Sequence, residues 1–175
     1  KKYARLENFE VITQTLLDGQ PTIILTAHFG NWEMAGFLLA ALGVRSHAIA
    51  RDLDNPYLHR YLLKFREYTG QTILSKNGDF ERIDKVLVDK GVLVSLADQS
   101  AGERGMFVNF FGRPASTHKA IALLAMEHQA KVLISYAYRE GDRCYYRVCS
   151  GRRLDRSEEH TSELQSPCNL VCRLL

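Results

Sequence analysis

Apolar positions along this chain switch between two spacings, and the switches mark the elements. In residues 3–17, Leu6, Phe9, Ile12 or Thr13, and Leu16 recur about every 3.6 positions, which predicts an amphipathic helix. Gly19 and Pro21 stop it. Residues 22–27 are a short β-branched run that reads as a buried strand. Asn31 is placed to cap a helix running to about residue 42, which Gly43 ends. Residues 45–50 read as a second strand, and Asn55-Pro56 opens a helix through residue 68, with Pro in its first turn. A short strand over 72–74, a helix over 79–90 and a strong strand over 92–97 follow.

Beyond a glycine-containing loop at 98–105, residues 106–111 are extended. Ser116 or Thr117 then caps a helix through Gln129. Strands over 131–138 and 143–149 join through a Glu140-Gly141-Asp142 turn. Strands alternating with helices predict an α/β fold, a mostly parallel mixed sheet flanked by helices with some antiparallel pairing late in the chain.

Composition narrows the picture only slightly. Hydrophobic residues make up 46% of the chain and charged residues 25%, as in an ordinary folded domain. The formal charge of +3 is too small to argue for nucleic acid, though a weakly basic face suits anionic lipid or an acidic carrier protein. The longest apolar run, residues 34–44, is too short to span a bilayer. Cys144, Cys149, Cys168 and Cys172 lack the Cys-x-x-Cys spacing of a zinc site, and no metal is expected.

The text changes character near residue 156. Residues 156–175 resemble a translated sequencing adapter and are expected to carry no function, which discounts His160, Cys168 and Cys172 as ligands. The chain opens mid-pattern at Lys1 without Met, so residues 1–155 are read as one domain truncated at both ends.

In open α/β sheets, ligands bind beyond the carboxyl ends of the strands. His28 ends the first strand, Arg51 follows the second, and Asp98 and Gln99 follow the fourth. A neutral imidazole there can accept a proton from a hydroxyl. Gly30 permits a sharp turn, Asn31 starts the next helix, and Glu33 falls in its first turn. From there a carboxylate can fold back and orient the ring. The alternative is a structural histidine beside a glutamate that only complements the helix dipole.

The stretch His28-Phe29-Gly30-Asn31-Trp32-Glu33 resembles the His-x-x-x-x-Glu signature of the lysophospholipid acyltransferase superfamily. Its Gly-Asn-Trp-Glu form is similar to the lipid A biosynthesis lauroyl/myristoyl acyltransferase branch. Arg51 with Asn55-Pro56, Asp98-Gln99, and Phe110-Phe111-Gly112 resemble further blocks of that branch, in order. The resemblance runs from about Leu6 to Arg139.

It implies a glycerolipid-acyltransferase-like fold and transfer of a fatty acyl group from acyl carrier protein, or coenzyme A, to a hydroxyl of a lipid A precursor, a phosphorylated glucosamine disaccharide, or a related glycolipid. The alternatives are a lysophospholipid or other glycolipid acyltransferase and a non-catalytic lipid- or carrier-binding homologue. No cofactor is implied. The implied partners are the carrier, a glycolipid acceptor and a membrane surface, at the cytoplasmic face of a cell inner membrane. His28 would be the general base and Glu33 its partner. Arg51, Asp98, Asn31 and Gln99 would lie by the substrate. Arg51 suits a phosphate, the alternative being a surface pair with Asp52 or Asp54. Asp98 would position the acceptor or Arg51, the alternative being a strand-end cap. Arg104 and Arg113 read as solvated charges, with acceptor or carrier contact the alternative. His118 is unassigned, and His47, His59 and His128 are read as structural or solvated. Residues 34–44 serve as core helix, acyl-groove wall or both. The apolar face of Tyr57, Leu58, Tyr61, Leu62 and Phe65 reads as core, with a resting place on a membrane as the alternative.

Overall fold

The computed structural model describes residues 3–76, 78–142 and 144–154. Strand β1 is Ala4–Glu7, followed by α1 (Phe9–Leu17), β2 (Thr22–Thr26), α2 (Trp32–Ala41), β3 (Ser46–Ala50) and α3 (Pro56–Tyr68). Then come β4 (Gln71–Ser75), α4 (Phe80–Val88), β5 (Val92–Leu96), the hairpin β6 (Met106–Phe110) and β7 (Arg113–Thr117), α5 (Ala120–Glu127), β8 (Lys131–Arg139) and β9 (Tyr146–Leu154). The main sheet has seven strands in the order β1-β9-β8-β2-β5-β3-β4, and β6-β7 form a separate ribbon. Every neighbouring pair in the main sheet is parallel except β8-β9. The expected mostly parallel mixed sheet flanked by helices is therefore present.

Central strands are apolar at consecutive positions, Ile23-Ile24-Leu25 in β2 and Val92-Leu93-Val94 in β5, because both of their faces are covered. Ile23 and Leu25 of β2 point to one side, where they pack with Ile83, Val86 and Leu87 of α4 and Ile121, Leu124 and Ala125 of α5. Ile24 points to the other side, toward Ile12 of α1 and Leu39 of α2. Chain direction explains this division. From β2 the chain crosses over α2 to β3 and on to β4, then returns over α4 to β5, and right-handed crossovers place outward and return helices on opposite faces. The chain thus leaves the adjacent strands β2 and β5 toward opposite faces. Their shared carboxyl end is a topological switch point, where such sheets open a crevice.

Three expectations are corrected. Residues 4–7 are not helical. They form an edge strand parallel to β9, and the helix starts only at Phe9, after Asn8 turns left-handed at φ 53°. Residues 113–117 form the second strand of a hairpin, so α5 begins at Ala120 rather than behind a Ser116 or Thr117 cap. Helix α3 contributes no fully buried residue; Tyr57, Leu58, Tyr61 and Phe65 are exposed rather than core. Residue 143 and residues 155–175, including the adapter-like stretch with His160, Cys168 and Cys172, lie outside the described residues.

Candidate functional site

Strands β2 and β5 pair in parallel with a constant register, from Thr22 against Val92 to Thr26 against Leu96. Ala97 N–H continues the ladder to Thr26 O at 3.1 Å. Two residues farther on each strand the same offset brings His28 level with Asp98. Asp98 Oδ1 lies 2.8 Å from His28 Nδ1, and Asp98 Oδ2 accepts the His28 backbone N–H at 2.9 Å. An ionised carboxylate only accepts hydrogen bonds, so this contact puts the ring hydrogen on Nδ1 and leaves Nε2 as the proton-accepting nitrogen. Burial pushes the Asp98 carboxyl up, but the two bonds from His28 outweigh it and hold the group below its ordinary value of 3.8. Trp32 packs against the imidazole edge to face, with centroids 5.0 Å apart.

The turn after His28 is held from the sheet. Gly30 has φ +63°, and a Cβ there would sit 1.7 Å from Ala137 O, so only glycine fits. Asn31 N–H donates to the same Ala137 carbonyl at 2.9 Å. The Asn31 side chain accepts from Met34 N at 3.0 Å, capping α2 as expected.

Glu33 does not meet the expectation that it would fold back onto His28. Its carboxylate is taken by Arg66 of α3, with Arg66 Nε 3.2 and 3.1 Å from its two oxygens and Nη2 also bonded to Oε1. The reason is angular. With Gly30 and Asn31 fastened to Ala137, the first turn of α2 places Trp32 against the imidazole and aims Glu33 at α3. The carboxylate on the ring is Asp98's, contributed by a strand 70 residues away. The sequence-based expectation for Asp98 is that it positions the acceptor or Arg51, or caps the strand end, and Arg66 has no expected role.

Between α2 and the sheet lies a mostly apolar cavity of about 70 Å³. Trp32, Gly36 and Leu39 of α2 form one wall, Ile24, Val94 and Leu96 form the floor, and Glu33 and Arg66 stand at its rim. The apolar stretch of α2 thus packs the core and walls a cavity at once. Thr26 also lines it, and its buried Oγ1 has no hydrogen-bond partner. Such a hydroxyl is a costly thing to leave unpaired, and it is suited to bond a polar atom of a ligand. Sequence reading missed it because Thr26 looked like one more β-branched strand residue.

The other expected residues are less engaged. Arg51 is exposed and paired with Asp54 at 2.8 Å, the surface alternative. Gln99 is exposed in the loop after Asp98. His118, on the segment between β7 and α5, is held below its ordinary value by burial and then by Lys76, so it favours the neutral form. His59 and His128 have carboxylate partners, at 3.6 Å to Asp52 and 2.8 Å to Asp84, and so have structural roles. Asp84, Glu127 and His128 also lie close enough to hold a cation, a grouping across α4 and α5 that sequence spacing does not reveal. The Asp84–His128 hydrogen bond accounts for the closeness of those two residues.

A base-ready histidine oriented by a carboxylate, at a switch point and beside an apolar cavity, suits acyl transfer to a hydroxyl. The family model of bacterial lipid A biosynthesis acyltransferases matches residues 1–167. The chain belongs to that family. It is also similar to the phosphatidylinositol mannoside acyltransferase of Mycobacterium tuberculosis (strain H37Rv), with 28% identity over 130 residues, covering 72% of this chain and 41% of the relative. The protein of that name from Mycolicibacterium smegmatis is 28% identical over 128 residues, covering 71% and 42%. The chain therefore matches about two fifths of the length of these acyltransferases. The family is named for lipid A biosynthesis acyltransferases, and the mycobacterial relatives are named phosphatidylinositol mannoside acyltransferases. Among the described residues, no helix is long and apolar enough to cross a membrane.

Proposed function

We propose that this acyltransferase moves a fatty acyl group from a thioester donor, acyl carrier protein or coenzyme A, onto a hydroxyl of a glycolipid, with His28 as general base. The acceptor hydroxyl gives its proton to His28 Nε2 as its oxygen attacks the thioester carbonyl. The tetrahedral intermediate collapses with cleavage of the C–S bond, and the imidazolium returns the proton to the departing thiolate. The products are an ester and a free thiol. Asp98, rather than Glu33, orients the ring and balances the imidazolium charge. Glu33, clamped by Arg66, fixes the first turn of α2 and with it Trp32 and the cavity rim. Thr26 Oγ1 bonds the bound acyl ester or acceptor. Asn31 holds the turn, while Arg51 and Gln99 meet the acceptor headgroup from the exposed side of the cleft, Arg51 exchanging Asp54 for a phosphate.

The observation that carries this reading is the His28–Asp98 pair at the switch point. Its setting would be the cytoplasmic face of an inner membrane, where lipid acceptor and carrier-borne donor meet. The test is transfer of a radiolabelled acyl group from acyl carrier protein or coenzyme A to a panel of acceptors. The panel holds a phosphorylated glucosamine disaccharide lipid, a mannosylated phosphatidylinositol and a lysophospholipid. Transfer to the disaccharide is expected. The second reading, a mannosylated phosphatidylinositol acceptor, is favoured by the names of the mycobacterial relatives, and preferential labelling of that lipid would select it. No labelled lipid product from any acceptor would defeat both.

A further inference from the structure

The hairpin β6-β7 leaves the same carboxyl edge as Asp98 and carries features that neither catalysis nor packing uses. Its base is fixed. Val108 and Thr117 are buried, Ala101 N–H donates to Ser116 O at 3.1 Å, and Ser116 Oγ donates to Gly102 O at 2.5 Å. Its tip is apolar and uncovered. Phe111 is 92% exposed and Phe110 38%, and the two rings pack edge to face with centroids 4.6 Å apart, while exposed Phe107 lies nearer the base, opposite Ser116.

The turn itself is unusual. Phe111 and Gly112 both have positive φ, 50° and 77°, as a two-residue type I′ turn requires. The first position of such a turn favours Asn, Asp or Gly, and a bulky aromatic there is strained. Strain kept at an exposed tip points to use of the side chain. Arg113 stands beside the tip, opposite Phe110, and Arg104 and Lys119 are exposed near the hairpin base, against the single carboxylate Glu103 in residues 101–119.

We infer that the Phe110–Phe111 tip is a membrane-insertion wedge that seats the cleft on an anionic lipid surface. This deepens the proposed action on a lipid acceptor and rests on it. A bilayer suits the tip better than a protein partner does. The tip is convex and its rings carry no hydrogen-bonding group, so lipid can close around it, while the cations meet phosphate headgroups. Phe29, next to His28 in the chain, is also an exposed ring.

The test is flotation of the full chain with vesicles of phosphatidylcholine alone or mixed with phosphatidylglycerol. The parent should bind the mixed vesicles more tightly, and less so as salt rises. Phe111→Asn, which suits the turn, should keep or raise the melting temperature and weaken vesicle binding by about tenfold or more. Arg113→Gln should reduce the preference for the anionic vesicles. Undiminished vesicle binding by Phe111→Asn would overturn the inference. So would conversion of a parent dimer to monomer by that change, since the tip would then be a self-association surface. Transfer to a detergent-dispersed acceptor should survive Phe111→Asn but not His28→Ala, which separates failure of the wedge from failure of the proposed reaction.

Discussion

Replacing Asp98 with Asn removes one charge and no volume, and it isolates the role of the carboxylate on His28. Asp98 now accepts two bonds, from the backbone N–H at 2.9 Å and from Nδ1 at 2.8 Å. An amide has one acceptor oxygen and one donor nitrogen. If the oxygen keeps the backbone N–H, the NH2 faces Nδ1 and the ring hydrogen must move to Nε2. The imidazole is then in the tautomer that cannot accept the acceptor's proton. If the amide flips, its NH2 opposes the backbone N–H and that bond is lost. In a Ser-His-Asp triad the same exchange lowers kcat by about 10⁴, and the half-open setting here lets the ring re-orient, so about 10²–10⁴ is expected. Loss of charge-assisted bonds, discounted for their partial exposure, should cost about 1–2 kcal/mol of stability. Steady-state kinetics with varied acceptor, alongside thermal melts, give both numbers. KM for the donor should change little. A kcat within about threefold of the parent would refute the orienting role, since a wrong tautomer cannot act as the base.

The other expectations concern the shell around this pair. Gly30→Ala drives a Cβ into Ala137 O and demands positive φ, so melts should show a loss of about 2–4 kcal/mol; an unchanged melting temperature would mean that the turn is not clamped to β8. Arg66→Met leaves Glu33 without its guanidinium partner at the cavity rim, and a melt should fall by about 1–2 kcal/mol, with much of that restored in the Arg66→Met/Glu33→Gln double variant; purely additive losses would show the pair uncoupled. Asp98 has a folded pKa below its unfolded one, so its stabilisation is fully present above the unfolded value near 3.8 and disappears as pH falls through the folded value. The melting-temperature gap between parent and Asp98→Asn should therefore be flat near neutral pH and close in acid; a gap that widens in acid would reverse the assignment.

The sequence pattern predicts the alternation of strands and helices because it depends on local signals: β-branched runs, the Asn31 and Asn55 caps, and closing glycines. It places His28 and Asp98 at strand ends but not in contact, because contact depends on β5 inserting beside β2, a pairing decided by tertiary packing. The offset of 70 residues becomes legible only once that neighbour is known. Glu33 looks like the ring's partner because it stands five positions after His28, yet the helix turn aims it at an arginine 33 positions on. β1 hides inside an apparent helical period because Leu6 and Phe9 fit either element, and its strand state is imposed by β9. β7 hides because Ser116 and Thr117 look like caps, and neither contains the left-handed turn at Phe111-Gly112 that would have announced a hairpin.

The central claim is that His28 takes the proton from a lipid hydroxyl. It is tested most directly by single-turnover acyl transfer with His28→Ala, in the presence of an acceptor that the parent acylates. A rate lower by about 10³ or more, with acceptor binding and melting temperature retained, is predicted. Transfer at the parental rate would contradict it.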